Sequence, residues 1–475
     1  MKVLFIAAEA FPFARTGGLG DVTYSLPKEL RKIGIDARVM IPKYGDIPDF
    51  FKEKMVCHSI FNVPVGWRSQ YCGLEELKYE GMPFYFIDNE YYFKREGLYG
   101  FYDEAERYAF FCRAALESIK YLDFMPDIIH CHDWQTGMVN VILKAHYEHL
   151  PEYQKIKKVF TIHNLHFQGI FPKEIMGELL NLKDEFFSVD GIEFYGAVNF
   201  MKGGILYSDE VTTVSPTYAK EIQTPHFGER LDDLLRKKND KIVGIINGID
   251  TQLYNPATDK QIFENYSVSN PEGKKINKKK LQKLLGLEVN PDIPIISIVS
   301  RFTRQKGLDL VFHILDEVMN EGVQFVALGT GDQQYENWFK EYASRYPRKI
   351  STNIAFDDEL ARRIYAGSDI FLMPSLFEPC GIGQLLAQRY GTIPIVRETG
   401  GLKDTVKPFD ENSRKGNGFS FANYNAHDML FIIRKAVGLY KDKRVWKEIV
   451  ENAMSTEVGW NNSAMKYKRL YQSLT

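Results

Sequence analysis

Several common features are scarce or missing in this chain. The five cysteines, Cys57, Cys72, Cys112, Cys131 and Cys380, are widely spaced, and no Cys-x-x-Cys occurs. Neither a disulfide framework nor a zinc site is indicated, and a cytoplasmic, reducing location is expected. No apolar run approaches the ~18 residues of a membrane span. The opening run Val3-Leu4-Phe5-Ile6-Ala7-Ala8 is too short for a signal peptide and reads as a first buried strand. Excess charge is missing as well. Sixty basic residues face 62 acidic ones, which argues against a nucleic-acid partner or a polybasic membrane surface. No Gly-x-x-x-x-Gly-Lys-Ser/Thr and no Gly-x-Ser-x-Gly is present, so a P-loop kinase and an elbow hydrolase are set aside. A dinucleotide fingerprint fails too, because Thr23 stands where the third glycine would follow Gly18 and Gly20.

What is present is a long, ordinary globular composition. A chain of 475 residues supports two or three domains with a large core. Phe, Tyr and Trp make up 14%, enough for a well-filled core or for carbohydrate-stacking platforms. Short β-branched runs alternate with helical patterns. Strands are expected at Val3–Ala8, Arg38–Ile41, Phe84–Ile87, Asp127–Cys131, Val159–Ile162, Glu210–Val214 and Val243–Ile246. A second set is expected at Ile295–Ser300, Phe325–Leu328, Ile370–Met373, Ile393–Val396 and Gly418–Phe421. Several are apolar without alternation, as parallel strands buried on both faces are. The fold class is therefore α/β with doubly wound sheets, in which ligands bind at the carboxyl ends of strands. A boundary is expected near Asn247–Asp259. The lysine-rich run from Lys274 to Lys283 reads as a solvated helix face.

One phrase occurs twice: Thr16-Gly17-Gly18-Leu19-Gly20-Asp21 and Thr399-Gly400-Gly401-Leu402-Lys403-Asp404. Each follows an apolar strand and opens a helix, so its amides are expected to offer an anion site. Arg301 and Lys306 lie just past the strand at Ile295, where two cations could hold a phosphate or diphosphate. Phe377-Glu378-Pro379-Cys380-Gly381 follows another strand and carries one carboxylate. In the first half, strands end in His130-Cys131-His132-Asp133-Trp134 and in His163-Asn164. His-x-His without a nearby third ligand is a weak metal signal, and no metal or cofactor is expected. No Asp-x-Asp occurs, so cationic side chains would have to neutralise a diphosphate.

Together these motifs resemble the bacterial glycogen synthase and starch synthase family of retaining glucosyltransferases. The resemblance spans the chain, through Arg15–Val22, His132-Asp133-Trp134, Ile162-His163-Asn164, Asn247-Gly248-Ile249-Asp250, Ser300-Arg301, Gln305-Lys306-Gly307, Phe377–Gly381 and Thr399–Leu402. It implies a GT-B fold of two facing Rossmann-like domains with a deep cleft and domain closure. The expected domains are 1–247 (acceptor side), 248–458 (nucleotide-sugar side) and a helix, 459–475, that returns to the first. The implied partners are an ADP-glucose donor and an α-1,4-glucan acceptor such as glycogen or maltooligosaccharide. The implied reaction adds glucose to the non-reducing 4-hydroxyl with retention.

By the same resemblance, Arg301 and Lys306 would grip the diphosphate, with Gly17 and Gly18 approaching from the other side. Glu378 would contact the transferred glucose beside the amides of Cys380 and Gly381. His163, Asp133, Asn164 and Asn247 would line the glucose pocket. Thr399, Gly400 and Gly401 would shape its floor, and Asp21 would accompany the first glycine turn. Phe356 stands where the family has a Tyr stacking on adenine, and its ring keeps the π face. Tyr99 falls in the acceptor-side loop. Arg15 replaces the family's usual Lys and puts donor preference, ADP-glucose or UDP-glucose, in question. Leu386, with Gln384 the nearest polar candidate, leaves no second carboxylate after Glu378. A front-face substitution is therefore preferred to a covalent intermediate. A non-catalytic glucan-binding protein, a transferase making sucrose or a small glycoside, and a glucan phosphorylase are the competing readings.

Overall fold

The computed structural model describes residues 1–475. The chain divides into two compact units. Unit 1 is Met1–Asn247 with Trp460–Thr475, and unit 2 is Gly248–Gly459. No helix is long and apolar enough to cross a membrane.

Unit 1 is built on strands β1 (Lys2–Ile6), β2 (Asp36–Pro42), β3 (Val56–Val65), β4 (Arg68–Tyr79), β5 (Met82–Asp88), β6 (Ile128–His132) and β7 (Lys157–Ile162). A small sheet holds β8 (Ile170–Pro172), β9 (Glu193–Phe194) and β10 (Ala197–Asn199), and β11 (Glu210–Thr213) and β12 (Ile242–Gly244) complete the main one. The nine-stranded sheet runs β12-β11-β7-β6-β1-β2-β5-β4-β3. From β12 to β5 every pairing is parallel. The order reverses between β1 and β6, so the loops leaving those two strands diverge and open a crevice at their carboxyl ends. The core of the sheet follows from sequence. Val3, Leu4, Phe5 and Ile6 are all fully buried, as a β-branched and aromatic run between two parallel neighbours must be.

The antiparallel strands β3 and β4 were not expected. They pair with each other and with β5. As the sheet margin they face water on one side, which dilutes their apolar pattern below what marks a buried parallel strand. The short edge strand β15 (Ile350–Asn353) of unit 2 escaped for the same reason. Elsewhere strand boundaries differ from expectation by a residue or two.

Unit 2 contains β13 (Ile295–Val299), β14 (Gln324–Leu328), β15, β16 (Ile370–Met373), β17 (Ile393–Arg397) and β18 (Phe419–Phe421). The order β15-β14-β13-β16-β17-β18 is that of a Rossmann sheet, with its reversal between β13 and β16. Every pairing is parallel. Helix Leu308–Asn320 covers one face through Leu308, Val311, Ile314, Leu315 and Val318, a helical i, i+3, i+4 stripe.

The final helix, Asn461–Leu474, belongs to unit 1. Its Tyr467 and Tyr471 are fully buried. The Tyr471 hydroxyl lies 2.7 Å from Nδ1 of His130, whose Nε2 lies 2.6 Å from Thr161 Oγ1. Ser463 donates to the Ile246 carbonyl at 2.5 Å, and Lys468 to that of Ile33 at 2.7 Å. Tyr471→Phe keeps the ring and strips one partner from a buried imidazole. It should cost about 1–3 kcal/mol, read as a lower urea midpoint of the full chain.

Candidate active site

In unit 2 the polar residues gather where the strand order reverses. β13 ends in Ser300 and Arg301, and a short turn, Arg304–Lys306, carries Lys306. β16 ends in the loop that holds Ser375 and Glu378. Lys306 Nζ lies 2.6 Å from Glu378 Oε2, and Ser375 Oγ donates to the same oxygen at 3.0 Å. The loop is braced on all sides. Arg397 donates to the carbonyls of Ser375 and Leu376, and the Leu376 amide donates to Gln305. Gly307 adopts φ +69°, and a Cβ there would strike the Pro374 carbonyl. Arg301 is exposed and makes no ion pair. Phe356 is 75% exposed, a ring with most of its surface in water.

The second glycine turn is built around this loop rather than left open. Thr399 is fully buried. The Gly401 amide donates to the carbonyls of Glu378 and Pro379. A Cβ on Gly400, at φ +43°, would meet the Glu378 carbonyl, and one on Gly401 would meet the Cys380 backbone. Close backbone approach explains both glycines. The two copies of the motif are therefore not two equivalent anion turns. Gly381, at φ +77°, sits over Gln384, whose amide donates to the carbonyls of Cys380 and Gly381 at 3.1 and 2.9 Å.

The first copy is the open one. Gly17 and Gly18 are exposed, and nothing lies within 4 Å of a Cβ on Gly17. Gly18 begins the helix Gly18–Lys32. Arg15 Nε pairs with Asp21 at 3.2 Å. What fixes this loop is Glu9, buried just past β1 and not singled out from sequence. Its carboxylate accepts from the Thr16 amide at 2.6 Å, the Thr16 hydroxyl at 2.7 Å and the Tyr99 hydroxyl at 2.6 Å. Burial and this carboxylate push the Tyr99 phenol well above its ordinary value. The one available signal was an acid directly after an apolar strand.

Asp133 follows β6 with φ +56° and ψ −179°, a region almost reserved for glycine. Its carboxylate accepts the amides of His163, at 2.7 Å, and Asn164, at 3.4 Å. Burial nevertheless raises it to about 7. Asn164 turns its own oxygen to the His166 amide at 3.1 Å. Asn247 is buried, and its Oδ1 has no partner. Beneath these residues lies a stack of imidazoles. His130 and His132 have ring centroids 4.3 Å apart, and His132 Nδ1 lies 2.9 Å from His163 Nε2. Burial lowers all three, His163 to about 3. The rings are neutral, so one hydrogen lies between His132 and His163. His132 Nε2 is buried without a partner. The arrangement that leaves no buried N–H without an acceptor puts the His132 proton on Nδ1, facing His163, whose own proton is then on Nδ1.

Unit 1 also has a groove of about 570 Å³, walled by Trp134, Phe167, Phe171, Phe194, Glu104, His166, Glu229 and Arg230. A Cβ on Gly169, at φ +63°, would run into the Trp134 ring, so the loop after His163 passes close over the indole. Trp134 was part of a recognised motif. The aromatic wall opposite it was not, because Phe167 lies in a loop and the strands of Phe171 and Phe194, β8 and β9, are too short to show a period.

Comparison with known proteins places this geometry. Residues 2–237 match the starch synthase catalytic domain family, and residues 286–453 match the glycosyl transferases group 1 family. A glycogen synthase of Caldicellulosiruptor saccharolyticus is 57% identical over 100% of both chains. One from Desulforamulus reducens is 55% identical over 100% of this chain and 99% of its own. Among solved structures, the catalytic domain of starch synthase IV from Arabidopsis thaliana, bound to ADP and acarbose, superposes with a TM-score of 0.94. It is 33% identical and covers 99% of each chain. Fold and site thus define a glycosyltransferase with two Rossmann-like domains of the GT-B type. The chain belongs to the glycogen synthase family.

Two measurements follow from the histidine stack. In ¹⁵N-histidine spectra, His163 should be a neutral Nδ1–H tautomer from pH 5 to 8, and His132→Phe should release that preference. The second concerns acid stability. Unfolded imidazoles take up protons near 6.5, whereas the buried rings do not, so their contribution is full above 6.5 and lost as pH falls. His130 and His132 should each remove about 1.4 kcal/mol per pH unit below that point. Asp133 works the other way between about 4 and 7, because the fold binds a proton that the unfolded chain lacks. Asp133→Asn should therefore steepen the acid loss in urea midpoints.

Proposed function

We propose that the protein is a glycogen (starch) synthase that transfers glucose from ADP-glucose to the non-reducing 4-hydroxyl of an α-1,4-glucan, with retention. The observation that carries the reading is the group at the unit 2 strand reversal: Lys306 against Glu378, with Arg301 exposed and unpaired just past β13. Arg301 and Lys306 act on the diphosphate, whose negative charge grows as the anomeric C–O bond breaks. Glu378 and the amides of Cys380 and Gly381 serve the transferred sugar, and Phe356 stacks on the adenine. Thr399, Gly400 and Gly401 hold the Glu378 loop in place. We assign 248–458 to the nucleotide sugar and 1–247, with 459–475, to the acceptor.

In unit 1, Arg15, Gly17, Gly18 and Asp21 form the open turn for the departing phosphates. His163 offers its Nδ1–H to a sugar hydroxyl. Asp133, Asn164 and Asn247 complete the polar wall, and Tyr99 with Glu9 fixes the loop between them. The aromatic groove at Trp134 suits the body of a glucan, since a pyranose has an apolar C–H face and hydroxyls at its rim.

The chemistry favours a front-face substitution. A covalent intermediate needs a nucleophilic carboxylate close to the anomeric carbon. Leu386 is buried in the apolar core, and Gln384 is held by the carbonyls of Cys380 and Gly381. Glu378 itself faces Lys306. The leaving phosphate then takes the acceptor's proton as the new bond forms.

The test offers purified protein ADP-glucose, UDP-glucose or no donor, each with glycogen or maltooligosaccharide. Glucan-dependent ADP release supports the reading. Preference for UDP-glucose would follow from Arg15 and correct the donor, and transfer to a small acceptor alone would replace the reading. Arg301→Ala should leave stability within about 0.5 kcal/mol, because the side chain is exposed and unpaired. Its turnover should fall roughly 10²–10³-fold. Near-normal turnover would remove the diphosphate assignment.

A further inference from the structure

We propose that Lys202 is a positioning residue for the acceptor: from the helix Phe200–Leu206 its ammonium holds the β9–β10 hairpin, and with it the Phe194 wall of the groove. This rests on the reading of the groove as the place of the glucan. Lys202 is buried, and its Nζ donates to the Val189 carbonyl at 2.7 Å and to the Glu193 carbonyl at 2.6 Å. Burial pushes the ammonium below the ordinary lysine value, and the charges of Glu193 and Asp190 pull against that. Burying a lysine on two carbonyls is costly, and what the cost secures is the course of the chain between them.

That stretch has little else to fix it. From Ser188 to Gly196, Ile192 is the one fully buried side chain, while Val189 and Tyr195 are 79% and 74% exposed. The hairpin is short, pairing only Phe194 with Ala197 and Glu193 with Val198. Its turn is closed by the Gly196 amide, which donates to the Glu193 carboxylate at 2.7 Å. Lys202 pins the segment at two points, and the second is the carbonyl directly before Phe194.

The anchor itself is rigid. A Cβ on Gly203 would run into Met138 and Val141, and one on Gly204 into Phe160, so the helix packs backbone-close on its neighbours. Asn199 caps it, accepting from the Lys202 amide at 2.9 Å, and donates from Nδ2 to Gln168 Oε1 at 2.6 Å. Gln168 in turn donates to the Glu229 carbonyl at 3.0 Å. The amides of Phe200 and Met201 donate to the carbonyls of Gly169 and Gln168, both at 3.0 Å. One helix turn therefore sets two parts of the groove, the stretch from Gln168 to Phe171 through Asn199 and the Phe194 hairpin through Lys202. A groove whose walls are fixed before the ligand arrives loses less freedom on binding.

The experiment compares Lys202→Met, which keeps the buried stem and removes the donors, with Lys202→Arg, whose fork can serve two carbonyls again. Hydrogen exchange reads the hairpin without catalysis. In Lys202→Met the amides of residues 188–196 should exchange roughly tenfold faster, while those of β6 and β7 keep the parent rates. KM for maltohexaose should rise roughly tenfold. The kcat at saturating maltohexaose and the KM for ADP-glucose should match the parent, a split that general loosening of the fold would not give. Lys202→Arg should recover most of both effects. Unchanged exchange across 188–196, unchanged KM for maltohexaose, or a loss shared by kcat and the donor KM would overturn the proposal, as would an Arg variant no better than the Met one. If Lys202→Met does not fold, Lys202→Gln, polar and shorter, takes its place with the same expectations. If the parent transfers glucose to no acceptor, calorimetric titration of maltohexaose into the same proteins still decides the role of Lys202, and only the reading of the activity fails. Maltohexaose that binds none of them, the parent included, would overturn both.

Discussion

Lys306 and Glu378 face each other at 2.6 Å with little water around them, and most of the unit 2 site is organised to keep them there. Taking two charges out of water is expensive, and the attraction repays it only with good geometry and further hydrogen bonds. Ser375 supplies one such bond, on the oxygen that Lys306 also uses. The backbone around them supplies the geometry. Arg397 holds the carbonyls on one side of the loop, Gly307 lets the Lys306 turn close against Pro374, and Gly401 donates to the Glu378 carbonyl itself. On the proposed assignment, an incoming diphosphate would meet a lysine already oriented by its carboxylate, and little reorganisation would be left for the moment of reaction.

Unit 1 solves a different problem. Its polar residues lie over three neutral imidazoles instead of an ion pair. Orientation there comes from which nitrogen carries hydrogen, and that is set from below, by the bare Nε2 of His132 and by the two partners of His130. Asp133 adds a strained backbone and a carboxylate that burial raises toward neutral pH. Strain of this kind persists only where surrounding bonds over-determine it, here the amides of His163 and Asn164.

Much of this was readable in the chain. Parallel strands announce themselves as unbroken apolar runs, and the candidate site residues fall after them, because a doubly wound sheet presents its loops at the carboxyl ends. Arg301, Glu378, His163 and Asp133 could be found by that logic alone. The β3–β4 hairpin could not, since one wet face erases the buried pattern. Glu9 stayed hidden because its role is to accept three hydrogen bonds from residues distant in sequence, and no local spacing encodes that. The glycines of the second turn were legible as glycines, but not their reason. The carbonyls they avoid lie across the fold in the Glu378 loop.

The return of the chain to unit 1 has a consequence for biosynthesis. His130 lies in the middle of the first sheet, yet its Nδ1 partner, Tyr471, is translated only after all of unit 2. While the ribosome works through residues 248–459, the early sheet has a His130 whose Nε2 can already reach Thr161 but whose Nδ1 still awaits Tyr471, on a flank that Tyr467 and Tyr471 have yet to cover. Unit 2 can finish its own core first, although it begins later. The first half can therefore complete its packing only once the second has been made in full.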